Sequence, residues 1–325
     1  MAMFKTRITE LFGVDYPLIQ GGMRFVSRAE LVAAVANAGG LGFLSAHSFP
    51  SPVALREEIE KVRSLTDKPF GVNLTILSKL SVKPEDSAKV ILDAGVTCVE
   101  TAGGNPAYFI AAFKEAGIKV LHKCTAVRFA LKAQQLGADA VSLTGFEAAG
   151  HPGEDQVPNM VLVPAAVDQL TIPVVANGGF ADGRGLVAAL ALGAEGMAMG
   201  TRFLMTRESP MPEAVKARYL AATERDTTLI CRSIGDSTRV LKNALTDQIL
   251  ELERAGADHD QLMTLASSQR WVSAVERGDA DDGAYAAGMG AGLIHDIPSC
   301  DTLVQTIIAD ARAIINERLQ RYVEP

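Results

Sequence analysis

Along the first two-thirds of the chain, apolar positions follow two patterns in turn. Short, nearly continuous apolar runs read as strands buried on both faces. Between them lie stretches whose apolar residues recur every three to four positions, the spacing of a helix with one buried face. The strands expected are Tyr16–Met23 (YPLIQGGM), Leu41–Ala46, Phe70–Ile76 (FGVNLTI), Thr97–Ala102, Lys119–Thr125 (KVLHKCT), Ala140–Thr144, and the runs PVVAN and GMAM inside Pro173–Phe203. The intervening helices are Arg28–Ala38, Pro52–Leu65, Asp86–Ala94, Pro106–Ala116, Ala126–Leu136, Met160–Leu170 and one opening at Asp182 or Gly183 and closed by Gly193. Ser27 and Ser51 stand where N-caps belong, the second followed by proline at the first helical position.

Eight such strand–helix units in about 200 residues is the count of a (β/α)8 barrel. An open doubly wound sheet is the rival, but it places one glycine-rich turn after its first strand. Here glycine pairs follow the first, seventh and eighth strands: Gly21-Gly22, Gly178-Gly179, and Gly200 with Thr201. Those strand ends are neighbours only if the sheet closes on itself, which favours an α/β TIM barrel. From about Pro210 the alternation stops, and Glu213–Ala222, Asn243–Ala255 and Leu303–Tyr322 read as helices. The expected organisation is a barrel over residues 1–209 with a C-terminal helical extension over 210–325.

Composition narrows the function. Apolar residues make up 48% of the 325 and charged residues 21%, ordinary for a globular enzyme. A net charge of −7 with no basic run argues against a nucleic-acid partner. The start lacks a secretory apolar segment, and nowhere do eighteen uncharged apolar residues run together, so a cytoplasmic protein away from membranes is expected. Cys98, Cys124, Cys231 and Cys300 are scattered without metal-ligand spacing and suit reduced, buried thiols.

Barrel enzymes carry their chemistry at the carboxyl ends of their strands. Those positions hold Gln20 to Met23, His47, Asn73 with Thr75, Glu100-Thr101, Lys123, the loop Gly145–Asp155, and the late glycine pairs. No histidine triplet, HExxH or GxSxG occurs, so a metal site and a serine nucleophile are not expected. What remains suits a phosphorylated ligand, because adjacent glycine turns expose backbone N–H donors. Lys123 should share an inward face with Leu121, leaving His122 outside. Three readings are open to it: a Schiff-base lysine, a cation beside the electron-rich end of a flavin, or a lysine whose head simply reaches solvent at the strand end. His151, in GFEAAGHPGED, has the natural pKa of a general base, with Glu147, Glu154 and Asp155 as acids that could orient it. The polar loop Leu77–Ser87 is a candidate lid. The small-residue run Ala284–Ile294 reads first as tight packing.

Four separated stretches in one order, GGMRFVSRAELVAAVANAGGLGFLSA, AGHPGED, ANGGFADGRGLVAALALGAEGMAMGTRF and AGMGAGLI, resemble the nitronate monooxygenase family, the former 2-nitropropane dioxygenases. The resemblance spans essentially the whole chain. It implies non-covalent FMN, with Gly21, Gly22 and Met23 lining the ring, Asn73 and Thr75 touching it, and Lys123 near its N1–C2=O edge. Ala149, Gly150, Gly178, Gly179, Gly200 and Thr201 would hold the ribityl chain and phosphate, and His151 would be the catalytic base over the reactive face. The implied activity is oxidation of alkyl nitronates with O2. The loop Ala149–Asp155 lacks the Gly-Gly-His-Arg pattern of the nitronate branch and is closer to the branch that reduces quinones with NADH or NADPH. FMN-dependent enoyl-ACP reductases share the same glycine pairs. A flavin-free lyase or isomerase acting on a sugar phosphate is the reading from another class, and the partners expected are small molecules, with a homodimer left open.

Overall fold

The computed structural model describes residues 4–77 and 82–323. Eight parallel strands close into a barrel: β1 (Leu18–Gln20), β2 (Leu41–Ser45), β3 (Gly71–Thr75), β4 (Cys98–Ala102), β5 (Lys119–Cys124), β6 (Ala140–Thr144), β7 (Val174–Asn177) and β8 (Gly196–Met199). Closure is direct: Ile19 of β1 pairs with Leu41 on one side and with Ala198 on the other. The structure is a TIM barrel, as the pattern of runs implied.

A short first helix, α1 (Arg7–Phe12), precedes β1 and has no counterpart in the sequence reading. Its Ile8 and Phe12 plug the amino end of the barrel against Ile19, Leu41, Phe43, Cys98, Leu121, Ala140, Val175 and Ala198. Seven helices then alternate with the strands: α2 (Ala29–Asn37), α3 (Pro52–Leu65), α4 (Pro84–Asp93), α5 (Ala107–Glu115), α6 (Val127–Gln135), α7 (Asn159–Val167) and α8 (Gly183–Ala191). Ser51 caps α3 by accepting the Ala54 amide at 3.2 Å, the expected N-cap. Ser27 does not cap α2. Arg28 holds that position without a side-chain bond, because the Ser27 hydroxyl accepts from the Met23 amide and from Gln20 Nε2, both at 2.8 Å, and so pins the turn after β1. Of the lid candidate Leu77–Ser87, residues 78–81 lie outside the described residues, and Pro84–Ser87 already belong to α4.

The segment expected to be helical holds more than helices. After α9 (Thr201–Leu204) and α10 (Glu213–Leu220), β9 (Thr227–Ile230) and β10 (Thr238–Leu241) form an antiparallel pair. These strands are four residues each, too short to show a period of two in the sequence. Next come α11 (Ala244–Arg254), α12 (His259–Leu265), α13 (Ser268–Arg277) and α14 (Cys300–Ala313). Helix α14 packs between α8 and α2, the place of the outer-ring helix that follows β8. Its Leu303, Val304, Ile307 and Ile308 share one buried cluster with Leu31 and Val35 of α2 and Leu186 of α8.

Candidate active site

Strand periodicity puts one set of side chains into the barrel. On β4 and β5 the inward positions begin with Cys98 and Leu121 in the apolar plug. Two residues further on, Glu100 and Lys123 form an ion pair, Nζ to Oε2 3.1 Å, with Glu100 fully buried and Lys123 21% exposed. Glu100 Oε2 also accepts from Asn73 Nδ2 at 2.6 Å and from the Gly22 amide at 3.2 Å. Thr75 donates to Asn73 Oδ1 at 3.2 Å. Thus Gly22, Asn73, Thr75 and Lys123 meet around one carboxylate above the plug. Glu100 went unassigned in the sequence reading. The signal was present, a lone acid in an apolar strand in register with Asn73, but its partner cannot be read from one strand alone.

The glycines press against this layer. A methyl group at Gly22 would lie 2.3 Å from Asn73 Cβ, and one at Gly21 3.3 Å from Lys123 Nζ. A methyl group at Gly200 would lie 3.5 Å from Met23 Sδ, which brings the β8 turn beside the β1 turn. Beyond it, Gly178 and Gly179 adopt φ of +101° and +80°, the left-handed region that favours glycine. Among the described residues, the amides of Gly178, Gly179 and Thr201 have no acceptor outside the regular helix and strand ladders. Asn159, at the start of α7, fixes this turn by donating to the carbonyls of Asn177 (2.9 Å) and Gly178 (2.7 Å). The Ala284–Ile294 run does pack tightly, and it packs here. The Gly288 amide donates to Thr201 Oγ1 at 3.0 Å and the Met289 amide to the Glu147 carbonyl at 2.9 Å. The Gly150 amide is already committed to the Arg239 carbonyl at 3.0 Å, so Gly150 offers a ligand clearance and no donor.

The groups that orient His151 differ from those expected. Its side chain is 67% exposed, and Nε2 lies 3.4 Å from Asp236 Oδ1 and 3.2 Å from Thr238 Oγ1. None of the three acids expected to orient it does so. Glu147 accepts the Asn159 amide at 3.0 Å, Glu154 accepts Ser237 Oγ at 2.7 Å, and Asp155 pairs with Arg128 at 2.5 Å. The orienting groups come from the β9–β10 insertion, 85 and 87 positions along the chain, beyond the reach of local sequence. The hydrogen bond to His151 holds the Asp236 carboxyl below the usual carboxylate range.

Several other ionisable groups are tuned by burial. His47 is pushed down to about 4 by burial and by the neighbouring Arg24 cation. Burial pushes the Cys98 and Cys124 thiols up to about 12 and Cys231 up to about 11, which makes them inert as nucleophiles near neutral pH. All four cysteines are free and buried, as expected. His122 faces outward from the barrel, with Nδ1 2.9 Å from Thr101 Oγ1, and burial lowers it to about 4. The unfolded imidazole titrates near 6.5, so the unfolded chain binds the extra proton first as pH falls. Stability is therefore full above about pH 6.5 and is lost toward pH 4, by about 3 kcal/mol from this residue. Urea unfolding at pH 7 and pH 4.5 checks it: His122→Gln should lose less stability between the two than the parent, and an equal loss would contradict the assignment.

A closed parallel barrel with its polar side chains gathered at the strand carboxyl ends is the architecture of a TIM-barrel enzyme. The particular kind follows from comparison: a model of the nitronate monooxygenase family matches residues 5–310, and the chain belongs to that family. It is 37% identical to a (3aS,4S,5R,7aS)-5-hydroxy-7a-methyl-1-oxo-octahydro-1H-indene-4-carboxyl-CoA dehydrogenase of Rhodococcus jostii, over 96% of this chain and 97% of that one. A probable nitronate monooxygenase of Staphylococcus saprophyticus is 33% identical over 96% and 99%. Among solved structures, FabK from Thermotoga maritima superposes with a TM-score of 0.92 at 36% identity, covering 98% and 99%. Membership makes the chain an oxidoreductase, and a flavin is the cofactor that the family implies. No helix among the described residues is long and apolar enough to cross a membrane.

Proposed function

We propose that the chain is an FMN-dependent oxidoreductase that oxidises alkyl nitronates with O2. One observation carries the cofactor reading: among the described residues, the amides of Gly178, Gly179 and Thr201, in the turns after the adjacent strands β7 and β8, have no acceptor outside the regular helix and strand ladders. Such amides are donors for a phosphate, and the ends of β7 and β8 are where barrels hold one. Gly178, Gly179, Gly200 and Thr201 would hold the phosphate, with Ala149 and Gly150 giving the ribityl chain room. Gly21, Gly22, Met23, Asn73, Thr75 and Lys123 would meet the ring. When bound, FMN supplies an electron acceptor that O2 can re-oxidise.

The chain's own task is orientation and proton transfer. A proton on His151 Nε2, shared with Asp236, leaves the lone pair on Nδ1. That nitrogen would take the α-proton from a neutral nitroalkane, giving the nitronate. The Ala149–Asp155 loop favours a second reading, in which NADH or NADPH is the donor and a quinone the acceptor. The Rhodococcus relative's name points to a third donor class, a carbon beside a CoA thioester.

Anaerobic mixing of the purified protein with propyl nitronate, NADH and NADPH in turn separates the first two. Bleaching of the blue-light absorbance by nitronate is expected. Bleaching by NADH or NADPH alone would move the assignment to quinone reduction. A colourless protein that cannot be reconstituted with FMN would remove the flavin reading and favour the sugar-phosphate lyase.

A further inference from the structure

Glu100 has no part in the scheme above, yet it is the most constrained polar group at the barrel mouth. Its side chain is fully buried, and three donors from three different elements converge on Oε2. They are the Gly22 amide after β1, Asn73 Nδ2 on β3 and Lys123 Nζ on β5. Oε1 has no hydrogen-bond partner among the described residues. Both members of the ion pair border the same space: a methyl group at Gly21 would sit 3.3 Å from Lys123 Nζ and 3.8 Å from Glu100 Oε1. A buried charge is tolerated only with a partner, and each member of the pair is that partner for the other. The centre of the mouth is therefore electrically neutral, although a lysine points into it.

We infer that Glu100 is a positioning residue that holds Lys123, Asn73 and the Gly22 amide against the ring site and offsets the lysine charge. The redox poise of a bound flavin is then set by the pair and not by the lysine alone. This rests on the FMN reading above. The two members of a compensated pair act with opposite sign under mutation. Removing the carboxylate charge with Glu100→Gln leaves an unopposed cation, which favours the electron-rich reduced cofactor. Removing the cation with Lys123→Met leaves an anion and does the reverse.

Anaerobic redox titration of FMN-loaded protein tests this, with FMN affinity measured in parallel by flavin fluorescence. Glu100→Gln should shift the reduced-to-oxidised ratio at fixed potential about tenfold toward reduced, about 30 mV for a two-electron couple. Lys123→Met should shift it about tenfold the other way. The double variant Glu100→Gln/Lys123→Met leaves no unpaired buried charge, so it remains informative if a single variant fails to fold. Its ratio should lie within about threefold of the parent. A double variant shifted tenfold toward oxidised, or a Glu100→Gln protein with FMN bound and an unchanged ratio, would overturn the inference. Failure of the parent to bind FMN would instead overturn the cofactor reading.

Discussion

Gly178→Ala is expected to purify without colour. A β-carbon there would lie 2.6 Å from Ala148 Cβ and 2.9 Å from the Ala148 Cα and backbone nitrogen. Two of those atoms are main chain, so no side-chain rotation relieves the clash, and the φ of +101° adds strain for any L side chain. The turn must move, and with it the Gly178 carbonyl held by Asn159 and the amides proposed to hold the phosphate. Each amide lost from a charged ligand removes about 1.5–3 kcal/mol, so two lost amides weaken binding by about a hundredfold or more. Gly137→Ala is the control. Its φ of +93° carries comparable strain, but nothing lies within 4 Å and it precedes β6, at the opposite rim. Absorbance of the purified proteins at matched circular dichroism reads the outcome: yellow Gly137→Ala and colourless Gly178→Ala. If both retain flavin, the phosphate is held elsewhere.

His151→Ala is expected to keep FMN and to lose turnover of neutral nitroalkanes by about 10²- to 10⁴-fold, the usual contribution of a general base. The side chain bonds only to Asp236 and Thr238 among the described residues, so removing it leaves the glycine cradle intact. Turnover of preformed nitronate needs no proton removal and should stay within about threefold of the parent. That split separates a base from a residue that merely shapes the loop. Oxygen uptake with nitroethane and with its nitronate measures it. Equal losses on both would assign His151 to substrate binding, and unchanged turnover on both would remove it from the reaction.

How much of this was readable beforehand depended on the range of each interaction. The eight strands and seven intervening helices are written in local periodicity, and α3 runs from Pro52 to Leu65 as the pattern reads. Inward Lys123 and outward His122 follow from alternation along one strand. Glu100 needed partners from the strands on either side of it, and Asp236 needed an insertion folded back onto the β6 loop. Ser27 shows a different limit: a residue with the right chemistry for a cap was drawn away by a nearer donor, the Met23 amide. Helix α1 is six residues long, too short for its pattern to stand out, although it plugs the barrel floor.

The position of α14 carries a consequence for how the chain is made. Ribosomal synthesis is vectorial, at about 5–20 residues per second. All eight strands have been translated by Met199, yet the helix that covers the seam between the first and last of them begins only at Cys300. Meanwhile the apolar flanks of α2 and α8 stay uncovered, and Gly183 waits for a backbone that approaches as closely as Ala311 does, 2.7 Å from where a β-carbon would stand. The intervening insertion, which carries Asp236 and Gly288, is also translated before α14. Every strand of the barrel is thus synthesised before the helix that closes its wall.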